Sequence, residues 1–157
     1  MSRNVVHASF TITRSWPHPP QKVFNAFASE SAKAKWFGGP PGWEQHKKVW
    51  DFREGGQEHL SGRHPNGMVS VFDCTYHDIV APDEDGDGRI IYSYVMHIDG
   101  RKISVSQASI EIKADGAGTK LTLTEYGDYL DGYDDKGSRE HGTNWLMDNL
   151  GKSLEAV

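Results

Sequence analysis

The chain has 157 residues, of which 36% are hydrophobic and 25% charged, with a net charge of −5 and a single cysteine. That length lets one domain bury roughly 68–70% of the unfolded surface, so a core forms without disulfides or structural metal. Its basic residues are scattered, densest at Lys33, Lys35, Lys47 and Lys48 with acids alongside, which excludes a phosphate-binding face and hence nucleic acid.

The first ten residues, MSRNVVHASF, carry no apolar core of a signal peptide. No run of about 18 apolar residues exists, so no membrane span is expected. Cys74 has no partner for an internal bridge, which fits a reducing, cytoplasmic setting, and reads as a small core residue.

Val5 to Arg14 alternates, with Val6, Ala8, Phe10 and Ile12 on one face, and predicts a half-buried strand ended by WPHPP. Gln21 to Ala28 carries Val23, Phe24 and Phe27 at helical spacing behind Pro20, a first-turn residue. A second short helix is expected over Ser29 to Trp36, with Ser29 as N-cap and GGPPG as its stop. Strands follow near 44–53, 56–64, 67–80, 88–99, 102–113 and 118–127. Asn66-Gly67, Asp99-Gly100 and Asp115-Gly116 are hairpin signals, because a type I′ turn needs positive φ at both central residues. From about Lys136 to Val157, Leu146, Leu150 and Leu154 form one stripe of a helix roughly 30 Å long. A helix of that length after a run of strands needs a sheet face to lie on.

This order resembles the START-like, or SRPBCC, superfamily. The local segments WFGGP (36–40), DFREGG (51–56), HPNG (64–67), YHDIVAPDEDGDGRIIYSY, GTKLTLTEYG (118–127) and HGTNWLMDNLGKSLE resemble those of the family named for the activator of the heat-shock protein 90 ATPase. The resemblance spans about residues 8 to 155. It implies a helix-grip α+β fold: a curved antiparallel sheet of six to seven strands around a long C-terminal helix, with two short helices after strand 1. The chain is then one domain, 1–157. The activator itself carries a further N-terminal domain for which this chain has no room, so its co-chaperone role carries over only weakly.

A helix-grip shape implies a cavity between sheet and helix. Ile90, Tyr92, Tyr94, Met96 and Ile98 share a face, and Leu121 and Leu123 put Glu125 on theirs. The expected lining is Phe72, Tyr92, Tyr94, Met96 and Glu125, with Trp36 and Trp145 closing the ends. Two readings stand for the aromatics, a ligand wall or filled core. Two also stand for Glu125: a buried carboxylate with a raised pKa, or a strand-end group that is solvated or paired with a cation.

The remaining motifs read as structural. DEDGDGRI starts like a calcium loop but has Tyr94 where the bidentate Glu belongs, and is expected to be a solvated hairpin loop. His59 and His64 project to opposite faces, and no histidine pair has helical spacing, so no metal is expected. Asp51 and Arg53 share a strand face as a charge pair supporting the Gly55-Gly56 turn, with anion binding by Arg53 as the alternative. Arg139 and His141 belong to a solvated first turn of the last helix or rim a cavity mouth. No nucleophile elbow, phosphate loop or triad order is present, no cofactor is called for, and catalytic residues stay unassigned. The first expectation is a binder of a small hydrophobic or aromatic ligand. A protein-interaction module and a cyclase, dehydratase or hydrolase using a cavity Glu or Tyr are the alternatives. A homodimer is a general expectation.

Overall fold

The computed structural model describes residues 3–155. Seven strands and three helices follow one another as β1 (Val5–Trp16), α1 (Pro20–Ala28), α2 (Glu30–Lys33), β2 (Glu44–Val49), β3 (Gln57–Arg63), β4 (Val69–Val80), β5 (Gly88–Ile98), β6 (Arg101–Asp115), β7 (Gly118–Leu130) and α3 (Ser138–Glu155). The sheet order is β1-β7-β6-β5-β4-β3-β2, and every neighbouring pair is antiparallel. This is the helix-grip arrangement: a meander whose first strand returns beside its last. No described helix is long and apolar enough to cross a membrane.

Local chemistry accounts for most element ends. Pro20 opens α1 at a position where its missing N–H is not needed. Ser29 caps α2 by accepting from the Ala32 N–H, and α2 is a single turn rather than a helix running to Trp36. Asp99 and Gly100 both have positive φ, as a type I′ turn requires. At His64-Pro65-Asn66-Gly67 only Gly67 has positive φ, and its N–H donates to His64 O at 2.8 Å. Pro65 fixes a negative φ at the second turn position, so this connection is a longer turn closed by a left-handed glycine.

Two strand expectations change. β2 stops at Val49 instead of continuing to residue 53. The DFREGG segment is a compact loop pinned to β4, with Gly55 N–H donating to Tyr76 O and Tyr76 N–H to Gly56 O. A side chain at Gly56 would sit 2.1 Å from Asp51 O, so only glycine allows the fold-back. Arg53 still donates from Nε to the Asp51 carboxylate, but across a loop and not along a strand face. In β1, Phe10, Arg14 and Trp16 are half-buried and Ile12 is buried, whereas Val6 and Ala8 are exposed. Toward the far end of this edge strand, Arg14 and Trp16 contact α3. In the first half Val5 and Val6 are each 51% exposed.

The core lies between the concave sheet and the helices. Ile12, Ile110, Ile112, Leu121 and Leu123 meet Val23, Phe24 and Phe27 of α1 and Met147, Leu150 and Leu154 of α3. The α3 stripe is as its spacing predicts, although the final two residues of the expected helix lie outside the described residues. Cys74 is buried in this core, and burial pushes its thiol up to about 12.

Candidate functional site

A cavity of about 390 Å³ lies between the sheet and the first half of α3. Ligand pockets commonly fall between 300 and 1,000 Å³. It exists because the side chains along its floor are planar rings on alternate positions of β4 and β5, which tile a concave sheet without filling the space above it. Phe72 packs between Phe37 and Tyr94 with ring centroids 5.0 and 5.1 Å away. Tyr92 lies between Tyr76 and Tyr94, 6.0 Å from each.

All seven residues expected to line a cavity border this one. Trp36 is a fixed wall, buried against Phe27 and donating from Nε1 to Ala26 O at 2.9 Å. Phe72, Tyr92 and Met96 are half-buried floor residues. Trp145 stands on α3 with 39% of its surface exposed, against 3% for Glu125.

Glu125 is not a solvated strand-end group. β7 continues to Leu130, so Glu125 lies well inside the strand, on the covered face. Its Oε2 accepts from the Tyr94 hydroxyl at 2.7 Å. Arg139 Nη1 is 3.8 Å from the same oxygen, too far for a hydrogen bond. It donates instead to the Tyr94 oxygen at 3.0 Å, so Tyr94 links the two charges. Arg139 also donates to Ser104 Oγ at 2.7 Å and Ser106 Oγ at 3.3 Å. Its guanidinium lies over the rings of Tyr94 and Tyr129.

Electrostatics follow from that burial. Desolvation raises the Glu125 pKa, opposed by the Tyr94 hydrogen bond and the Arg139 charge. Desolvation, then the Glu125 charge, raises Tyr94 as well. Burial pulls Arg139 down, but Tyr94, Tyr129 and Glu125 together leave it above its ordinary value. Tyr129, further out, is pushed up to about 12, mainly by desolvation.

Arg139 therefore belongs to neither a solvated first turn nor a simple rim: its side chain reaches down onto the sheet. The signal was its place seven residues before Leu146, two turns back along the apolar stripe. His141 faces solvent.

A second buried charge pair lies beside the cavity, which Lys33 and Tyr76 also border. Lys33 Nζ donates to Glu58 Oε1 at 2.6 Å and to the Tyr76 hydroxyl oxygen at 3.2 Å, while Tyr76 donates to Glu58. The ammonium sits 4.4 Å from the centre of the Phe37 ring. Lys33 is thus no part of a surface basic cluster, since it is 8% exposed. Burial, then the Glu58 charge, raises Tyr76 far above a usual phenol. Inward parity with Leu60 was the available signal for Glu58.

The acidic segment after β4 is an exposed hairpin loop in which Asp83 accepts from the N–H groups of Asp85 and Asp87. Among the described residues no group of three His, Cys, Asp or Glu side chains is placed to hold a metal ion.

Residues 17–155 match the family described as Activator of Hsp90 ATPase homolog 1-like protein. An uncharacterized protein from Rhizobium leguminosarum is 35% identical, with a TM-score of 0.91 over 99% of both chains. Mll3558 from Rhizobium loti is also 35% identical, with a TM-score of 0.85 over 96% of this chain and 99% of that one. Protein CV1439 from Chromobacterium violaceum, at 22% identity and a TM-score of 0.76 over 95% of this chain and 98% of that one, shares the fold. No curated protein matches. The chain belongs to the Activator of Hsp90 ATPase homolog 1-like family, within the START-like superfamily.

Proposed function

We propose that this member of the family, acting as a single START-like domain, binds a small, largely apolar, aromatic molecule in the cavity between the sheet and α3. The observation that carries the reading is the composition of the walls. Phe72, Tyr92, Tyr94 and Met96 supply flat apolar contact, and one polar group, Glu125 with Tyr94 and Arg139, is set into them. Apolar walls with few placed polar groups are the usual chemistry of ligand recognition. A filled core would instead close over its rings.

The test is native mass spectrometry of the full chain purified from its own host, followed by denaturing extraction. A reproducible small molecule, lost in Tyr94→Ala or Trp145→Ala variants that keep their fold, is the expected result. An empty protein showing no thermal shift with any aromatic metabolite or lipid sinks the reading.

A further inference from the structure

We propose that the ligand of this cavity is a neutral aromatic molecule carrying a hydroxyl, and that this hydroxyl donates to Glu125 Oε1. The inference rests on the cavity-binding reading above and names its ligand class.

Glu125 is 3% exposed and borders the cavity. Its Oε2 is engaged by Tyr94. No described residue donates to Oε1, yet every fully enclosed side-chain polar atom among the described residues has a partner. Oε1 is therefore open to the cavity and is the acceptor a ligand meets. A carboxylate can take several donors, and leaving it short in a low-dielectric site is costly.

The charges around it select the donor. Asp135 also borders the cavity, its Oδ1 accepting from the Arg139 N–H, so a second negative charge lies at this end. An anionic head meets repulsion from both. An ammonium head meets Arg139, whose Nη1 is 3.8 Å from the same carboxylate. A neutral hydroxyl satisfies Oε1 with neither repulsion. A phenol suits best, because its acidic O–H donates strongly to a carboxylate and its ring continues the stack of Phe72, Tyr92 and Tyr94.

The experiment is isothermal titration calorimetry at neutral pH on the full chain, with para-phenylphenol, its methyl ether and para-phenylbenzoate. The phenol is expected to bind roughly ten- to a hundredfold tighter than the ether, the range for a hydrogen bond to a charged acceptor. The benzoate should bind more weakly than the phenol. In Glu125→Gln, a neutral acceptor of about half the strength shrinks a tenfold preference to about threefold. Where Glu125→Gln fails to fold, the infrared difference spectrum of the unaltered chain serves: a carboxylate stretch should shift on binding the phenol and not on binding the ether, and an unshifted band overturns the assignment. Equal binding of phenol and ether, or tightest binding of the benzoate, overturns the hydroxyl assignment and leaves cavity binding standing. No binding of any of the three overturns the assignment, and the cavity reading falls with it when the purified chain is also empty and shows no thermal shift with aromatic metabolites or lipids.

Discussion

Tyr94 and Glu125 belong to β5 and β7, two strands apart, and their side chains meet above the strand between them. The register explains how. Tyr94 pairs with Ser106 on β6, and Glu125 pairs with Ala108. Both β6 residues are small, so the phenol and the carboxylate bridge over them at 2.7 Å.

That contact does not offset the cost of burying the carboxylate, and a pH dependence follows. The folded pKa of Glu125 is raised above its ordinary 4.5, with desolvation as the largest cause. The folded state then holds the proton more tightly than the unfolded state. Stability from this group is fully present below the unfolded value and is lost as pH rises through the folded one. Thermal melts of the parent and Glu125→Gln should coincide in acid, and the variant should gain relative to the parent as pH rises. A difference that stays constant with pH refutes this.

Lys33 and Glu58 form a buried pair with side-chain exposures of 10% and 3%. Removing one partner strands the other charge, whereas removing both restores an apolar site. Lys33→Met is expected to lose about 3–5 kcal/mol in urea denaturation, and Lys33→Met with Glu58→Leu to recover most of it. A single variant within about 1 kcal/mol of the parent would show that Glu58 finds other partners.

Cys74 should be inert while the chain is folded. Its thiol is buried and held at about 12 chiefly by desolvation, so little thiolate exists at neutral pH. A chromogenic disulfide reagent should label it only at the rate of unfolding, and at once in denaturant. Fast labelling of the native protein contradicts the packing described.

Leu150 and Trp145 lie on one helix with different duties. Leu150 is fully buried, and Leu150→Ala should cost about 2–5 kcal/mol. Trp145 is partly exposed at the cavity, so Trp145→Ala should cost about 1 kcal/mol or less while weakening binding of para-phenylphenol. Unchanged affinity in that variant would remove Trp145 from the binding surface.

Periodicity by itself determined the order of elements, the seven strands and the apolar stripe of α3, because alternation and helical spacing are local consequences of burying one face. Parity also put Tyr92, Tyr94, Met96 and Glu125 on one side of the sheet. Only the tertiary structure decided where charge is buried. Lys33 looks like an ordinary surface cation in sequence and Arg139 is marked only by its place on the apolar stripe, and each goes inward because another part of the fold meets it. Glu58, 25 residues away, meets Lys33; the Tyr94 hydroxyl and the serines of β6 meet Arg139 beside Glu125. A charge is tolerated inside when partners converge on it, and convergence depends on sheet register and helix placement, which no local pattern contains.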